Sequence, residues 1–340
     1  MRTVHVETGK PYDIFIERGI IDKCGEYIGR LSTAEKVTVI TDSNVAPHYQ
    51  WRVLNSLEKE GFEVKTHIFK AGEESKNLDT IAEMYNTLAG FRMTRKDIVL
   101  ALGGGVTGDM AGFAAATYLR GIDFIQVPTS LLAQVDSSVG GKTAIDFDGY
   151  KNIVGAFHQP RGVIIDPDTL STLPKRQISN GLAEAVKMSL THDAELFAMF
   201  ENDEFDIDTV IERSIKIKCS VVENDEKESG LRKVLNFGHT VGHAIESNTP
   251  SLYHGECVAL GMLPMCSVNV RERLVKVLEK LNLPTAVDVN PEIIIESMSH
   301  DKKMAGDNIS VVRVENAGTF NIEKIKFDDF ANDIRAVYKK

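Results

Sequence analysis

The residues Asp97-Ile98-Val99-Leu100-Ala101-Leu102 pass directly into Gly103-Gly104-Gly105-Val106-Thr107-Gly108-Asp109 and then into the small-residue stretch 110–117. A buried strand, a glycine turn and a helix in immediate succession constrain this chain more than any other feature, because together they form the core of a βαβ unit on a parallel sheet. Gly103, Gly105 and Gly108 satisfy GxGxxG. Glycines at this spacing let the backbone turn sharply and approach a pyrophosphate, whose charge is held by free N–H groups and the dipole at a helix start.

The flanking sequence repeats the theme. Residues 3–7 and 12–17 alternate around Gly9-Lys10-Pro11 and read as a hairpin. β-rich runs at 37–41, 63–69, 98–102, 124–127 and 163–165 then alternate with helix-length segments such as 45–61 and 77–90, which predicts an α/β domain with a doubly wound parallel sheet. Beyond the turn-rich stretch 166–174, strand-like runs nearly vanish until about residue 310. Apolar spacing of three and four residues predicts helices over 177–191, 207–223, 234–247, 256–270 and 271–281, followed by a hairpin over 309–325 and a last helix from Asp328. The chain of 340 residues can hold two cores. We therefore expect an α/β nucleotide-binding domain over 1–172 and a mainly α-helical domain over 173–340.

Bulk properties narrow the partners. A formal net charge of −10 argues against nucleic acid, whose phosphates are held by clustered Lys and Arg. Uninterrupted apolar runs fall short of the ~20 residues that cross a bilayer, and the first residues lack a signal core. The cysteines Cys24, Cys219, Cys257 and Cys266 have no CxxC spacing and read as thiols in a reducing cytoplasm. A small molecule is the expected partner, with neither nucleic acid nor membrane.

One part of the dinucleotide fingerprint is missing. The strand after the glycine turn should end in an acid that binds a ribose, but 124–127 runs into Pro128-Thr129-Ser130. The sugar must be read elsewhere.

Histidines supply a second constellation. His5, His48, His67, His158, His192 and His300 are scattered, whereas His239 and His243 stand four apart on one expected helix and His254 opens the next in His254-Gly255-Glu256. Imidazoles four apart project from one helical face. Glu184 could complete a His/carboxylate set of the kind that holds zinc with an open position. A zinc protease is disfavoured, because no Glu follows His239 as HExxH requires. Cations also gather at the motif segments in an otherwise acidic chain: Arg120, Lys142, Lys151, Lys187, Lys218 and Arg232. Their expected job is to bind a small dianion. The stretch 134–143 sets turn glycines beside Lys142, but Asp136 occupies the place of the first glycine of a Walker A loop.

Taken in order, these segments resemble the 3-dehydroquinate synthase family through most of the chain. The similar segments are Ala71-Gly72-Glu73-Glu74-Ser75-Lys76, the triple-glycine turn ending in Asp109, Tyr118-Leu119-Arg120-Gly121, Gln126-Val127-Pro128-Thr129, 136–142, Gly181-Leu182-Ala183-Glu184, 235–246, His254-Gly255-Glu256 and Asp301-Lys302-Lys303. The departures are minor: Ser130 replaces a frequent threonine, Val241 fills a variable slot, Asn180 stands where serine is common, and Cys257 is a less usual neighbour of the histidine motif.

The resemblance implies zinc, or cobalt in its place, held by Glu184, His239 and His254, with His243 left to the substrate pocket. It implies an NAD site lined by Asp42, by Gly72, Glu73, Glu74, Ser75 and Lys76, and by Gly104, Gly105, Val106, Thr107, Gly108 and Asp109. Thr129, Ser130, Lys142 and Lys151 would join it, as would Thr169, Leu170, Ser171 and Thr172. Glu73 and Lys76 would then read the ribose and adenine end. Arg120, Asp136, Lys142, Lys187, Lys218, Arg232, Asn236, His243 and one of Lys302 or Lys303 would surround a sugar-acid phosphate. The implied assembly is a homodimer.

The implied reaction is the conversion of 3-deoxy-arabino-heptulosonate 7-phosphate to a carbocycle in the shikimate pathway: transient oxidation by NAD, phosphate elimination, reduction, ring opening and aldol closure. Other readings are a related sugar phosphate cyclase, a metal-dependent alcohol dehydrogenase resembling glycerol dehydrogenase, and a non-catalytic nucleotide sensor. The expectation common to the enzymatic readings is a cation held by the helical half that faces the nicotinamide held by the other.

Overall fold

A computed structural model describes residues 1–228, 230–302 and 307–338, without the side chains of 300–302. The chain divides into two compact units, Met1–Leu173 with Lys218–Glu223, and Pro174–Ile217 with Asn224–Lys340. Residues 218–223 thus group with the first unit, although the sequence expectation counts everything after 172 with the second.

The first unit contains β1 (Arg2–Val6), β2 (Tyr12–Ile16), α1 (Cys24–Leu31), β3 (Lys36–Asp42), α2 (Ala46–Lys59), β4 (Glu63–Phe69), α3 (Leu78–Gly90), β5 (Ile98–Gly103), α4 (Gly105–Thr117), β6 (Asp123–Pro128), β7 (Lys142–Phe147), β8 (Tyr150–Phe157) and β9 (Gly162–Ile165). Seven strands form one sheet in the order β1-β2-β9-β6-β5-β3-β4. Only the β1–β2 hairpin is antiparallel within it. Every residue of β5 is buried, as a strand with helices on both faces must be. Alternation divides its side chains. Ile98, Leu100 and Leu102 join the core under α1 and α2, while Val99 and Ala101 join the one under α3 and α4. This is the doubly wound sheet expected from the sequence.

β7 and β8 form a separate antiparallel pair that the sequence reading does not anticipate. Its outer positions carry the signals of neither a helix nor a half-buried strand, because Phe147, Tyr150, Ile153 and Phe157 are apolar yet exposed.

The second unit contains α5 (Lys175–His192), α6 (Ala194–Asn202), most of α7 (Ile207–Asn224), α8 (His239–Asn248), α9 (His254–Met262), α10 (Val268–Lys280), α11 (Pro291–Lys302), the hairpin β10 (Asn308–Arg313) and β11 (Asn321–Lys326), and α12 (Phe327–Tyr338). Two expected helices are each broken. The segment 234–247 is a 3-10 turn over Leu231–Asn236 and then α8, separated where Gly238 adopts φ 81°. A side chain at Gly238 would also meet the Val258 carbonyl at 2.8 Å, so glycine is needed for both the left-handed turn and the close approach of α9. The segment 256–270 ends as α9 at Met262, followed by the short turn Leu263–Met265 around Pro264 and a restart at α10. Proline inside a helix removes a hydrogen bond and clashes with the preceding turn. Helices α6 and α11 were not expected. No described helix is long and apolar enough to cross a membrane.

Candidate active site

In the first unit the glycine turn joins β5 to α4. A Cβ on Gly103 would lie 2.3 Å from Thr107 Oγ1, and one on Gly108 would lie 2.6 Å from Gln126 Oε1 of β6. The first glycine therefore permits the turn and the last permits the helix to lie against the sheet. Gly104 caps α4 without a side-chain hydrogen bond, and the first turn holds no acidic residue. That leaves a positive helix start suited to a pyrophosphate.

An acid does end the other neighbour of β5. Asp42 ends β3, which pairs with β5. Its Oδ1 accepts from the Asn44 and Val45 N–H groups, and its Oδ2 accepts from Thr107 Oγ1 at 3.2 Å. Gly72 begins a 3-10 turn over Glu73–Ser75 that delivers Lys76. Lys76 is 4% exposed, and its ammonium donates to Asp109 Oδ2 at 2.7 Å and to Asn152 Oδ1. Burial pushes the Asp109 carboxyl up, with Lys76 opposing. Asn152 is a contact that sequence reasoning missed, since no motif marks it.

The other expected cofactor positions lie in the same unit. Thr129 and Ser130 follow β6, and the Thr129 N–H donates to the Gly103 carbonyl. Thr169, Leu170, Ser171 and Thr172 belong to the 3-10 turn Pro167–Thr172, tied to α2 by the Tyr49 hydroxyl at 2.6 Å from Thr172 Oγ1. Lys142 opens β7 and Lys151 lies on β8. Asp136 sits in a single π-helical turn, Ala133–Ser137, where Lys218 Nζ reaches its Oδ1 at 2.8 Å and its carbonyl at 2.6 Å. Arg120 is exposed in the tight turn after α4, with φ 66°.

The second unit gathers the metal-type donors. Glu184 of α5, His239 of α8 and His254 of α9 come together, although 70 residues separate the first from the last. His239 Nε2 lies 3.5 Å and His254 Nε2 lies 3.6 Å from Glu184 Oε1. These distances are too long for good hydrogen bonds. Two ligands of one tetrahedral cation, bound at about 2.0–2.2 Å, stand roughly 3.3–3.5 Å apart. Each imidazole is turned by its other nitrogen. His239 Nδ1 lies 3.2 Å from the Phe237 carbonyl, and His254 Nδ1 lies 3.3 Å from Glu246 Oε2. Two imidazoles and a carboxylate fit zinc with a position left open. His243 stands in the same cluster, one donor atom of each of the three imidazoles lying within 4.8 Å of the others.

The electrostatics suit a cation. Glu184 is completely buried, and neither of its carboxylate oxygens makes a hydrogen bond of good geometry, although Lys187 Nζ stands 2.6 Å from Oε2. Burial would raise the Glu184 pKa, but the Lys187 ammonium and the two imidazoles hold it well below the usual carboxylate range. Burial pushes His239 down to about 3. Burial acts on His254 in the same direction, but Glu184 and Glu246 outweigh it and raise this imidazole to about 9.

Three successive turns of α5 hold the start of α9 in register. Arg176 makes a two-pronged pair with Glu256 at 2.7 Å on each side, Asn180 Oδ1 accepts from the Gly255 N–H at 2.6 Å, and Glu184 meets His254. The remaining expected residues are nearby in this unit. Lys187 donates to the Leu235 carbonyl at 2.9 Å, buried Arg232 donates to the Glu226 carbonyl at 2.6 Å, and Asn236 donates to Glu228 Oε1 at 3.1 Å. A cavity of about 480 Å³ beside α8 is lined by Asn236, His239, His243 and Phe327, among others. Lys302 and Lys303, one of which was expected to reach the substrate, lie outside the described side chains.

Comparison with known proteins agrees with this geometry. Family models described as 3-dehydroquinate synthase N-terminal and 3-dehydroquinate synthase C-terminal match residues 66–180 and 181–304. The chain is 43% identical to a 3-dehydroquinate synthase of Clostridium acetobutylicum over 99% of its own length and 100% of the relative's. It is 44% identical to one from Streptococcus thermophilus, covering 93% and 94%. Among solved structures, it resembles 2-deoxy-scyllo-inosose synthase complexed with carbaglucose-6-phosphate, NAD+ and Co2+, with a TM-score of 0.89, 26% identity and coverage of 99% and 100%.

Proposed function

The chain belongs to the 3-dehydroquinate synthase family, and from that premise we propose how its residues divide the work. It is a carbon–oxygen lyase that converts 3-deoxy-D-arabino-heptulosonate 7-phosphate to 3-dehydroquinate and phosphate in the shikimate pathway. The first unit, through the β5–α4 turn and Lys76, holds NAD. The second, through Glu184, His239 and His254, holds zinc or cobalt. The observation that carries the metal assignment is the convergence of two Nε2 atoms on one oxygen of a buried, under-satisfied carboxylate.

When bound, NAD would supply the acceptor and donor of a hydride for the substrate's carbinol carbon, and the divalent cation would supply a Lewis acid for its hydroxyl. The chain's own groups bind and orient. Lys187 and Arg232, both buried, meet the substrate's anionic groups with positive charge held in place before the reaction begins. Lys218, Asp136, Lys142 and Arg120 extend that recognition to the phosphate, carboxylate and hydroxyls. Oxidation precedes elimination because a new ketone acidifies the adjacent C–H. As that proton leaves, the C–O bond to phosphate breaks and the phosphate departs with the electron pair. The substrate's own phosphate dianion takes the proton, and His243 and Asn236 position it. Carboxylate recognition by Arg232 and Lys218 separates this activity from cyclases whose sugar phosphates carry no carboxylate to meet them.

The assembly is a homodimer, and the compartment is the cytoplasm, which suits four buried cysteines outside any disulfide. A light-scattering mass of a single chain would refute the first. The activity is tested by supplying NAD, zinc and the heptulosonate phosphate, then measuring inorganic phosphate, NADH and product absorbance. Phosphate release with no net NADH is expected. Accumulating NADH would mark a dehydrogenase, and equal turnover of a hexose 6-phosphate would mark another cyclase.

A further inference from the structure

We propose that Glu246 is a positioning residue of the metal site, acting through His254. The inference rests on the reading of His254 as a ligand and extends it to a group outside the ligand set. Glu246 lies on α8 with His239 and His243, at positions i, i+4 and i+7 of one helical face. From there its carboxylate reaches the first residue of α9: Oε2 stands 3.3 Å from His254 Nδ1, and the side chain is 15% exposed. A histidine that donates from Nδ1 keeps its lone pair on Nε2. That nitrogen is the one facing Glu184.

The two candidate imidazoles are set by the same device from different sources. His239 uses the Phe237 carbonyl, which is part of the turn that starts α8 and comes with the backbone. His254 begins α9 at the end of a loop, and there a carboxylate takes that role. A carboxylate does more than a carbonyl. It fixes tautomer and ring angle, and its charge makes the imidazole a stronger donor to a cation. Glu184 and Glu246 therefore bracket one ring, the first at Nε2 and the second at Nδ1.

The test uses the full chain stripped of metal, with zinc dissociation constants measured by competition with a chromophoric chelator. Glu246→Ala is expected to weaken zinc binding by roughly 10- to 100-fold. Glu246→Gln, whose amide oxygen can accept the same hydrogen bond without charge, should lose less. It also serves if the alanine variant fails to fold. The visible bands of the Co2+-loaded protein should shift in both variants, a signature that loss of packing alone would not produce. In the background of His254→Ala, adding Glu246→Ala should cost no further affinity. Zinc constants within about twofold of the parent in both Glu246 variants, with His254→Ala losing zinc, would remove Glu246 alone. Undiminished zinc binding in His254→Ala would overturn the ligand assignment and this inference together.

Discussion

Gly255→Ala should dismantle the metal site without touching any ligand. A Cβ at this position would lie 2.0 Å from the Asn180 carbonyl oxygen and 2.8 Å from Asn180 Oδ1. The first of these is backbone within α5, so no rotamer relieves it. Bringing 2.0 Å up to an ordinary contact of about 3.4 Å requires the start of α9 and the middle of α5 to part by roughly 1.4 Å. Coordination tolerates about 0.2 Å, and His254 and Glu184 sit on the two segments that separate. The Gly255–Asn180 hydrogen bond is lost in the same movement. We expect the fold to lose about 1–3 kcal/mol from overpacking and zinc affinity to fall by roughly 100-fold, in line with a 1 Å misplacement of an active group. Chelator competition measures the zinc term and urea denaturation of the metal-free protein measures the fold term. NAD binding, which we assign to the first unit, serves as the control and should be unchanged. A variant that binds zinc like the parent would refute the claim that α5 fixes the position of His254 through this contact.

His243→Ala should slow turnover by roughly 100-fold or more while one zinc per chain is retained; stoichiometric loss of metal would make His243 a ligand instead. Lys76→Met breaks a largely buried ion pair and leaves Asp109 behind, which should cost about 2–3 kcal/mol in urea denaturation, less than for a pair with both partners buried because Asp109 is 22% exposed. NAD affinity should fall by about tenfold or more in a fluorescence titration of the same variant. Asp193 caps α6 and pairs with Arg213 through two bonds of 2.6 and 2.7 Å. Burial would raise its pKa, but Arg213 and the Leu196 N–H lower it. Its stabilisation is therefore complete above the ordinary Asp pKa near 3.9 and is lost as pH falls through the lower folded value. Asp193→Asn should cost roughly 1–2 kcal/mol at neutral pH, and the difference from the parent should shrink in denaturation curves taken below about pH 3.9.

The parallel sheet could be read from the sequence because its strands are buried on both faces and appear as short apolar runs cut by helices. Ile98 to Leu102 could hardly be anything else. The helical unit was legible as a class but not in its breaks. Gly238 and Pro264 were present as signals, yet a three-to-four spacing runs through both, and the decisive facts are tertiary: the approach of α9 to Gly238, and the restart of α10 after the Leu263–Met265 turn. At the site, the three histidines drew attention by their spacing. Spacing marks His239 with His243, because neighbours on one helix are visible in sequence, whereas the orientation of a ring is set by what holds its far nitrogen. Glu246 and Asn180 fall in or beside the similar segments, but their partners, His254 Nδ1 and the Gly255 N–H, are set by tertiary approach, and nothing in a linear pattern marks Asn152. Asn180 illustrates the point, since a departure of one residue from the family's common serine places an amide oxygen 2.6 Å from the Gly255 N–H.

The return of residues 218–223 to the first unit makes the chain's two halves inseparable by a single cut. A fragment ending near residue 172 would lack Lys218 and Glu223, and with them the cation beside Asp136 and the acceptor of the Glu7 N–H. The polypeptide leaves the first unit, builds α5, α6 and most of α7 in the second, and comes back before finishing the rest. During synthesis, the first unit therefore has to wait for the end of α7 to be made before its last contacts can close.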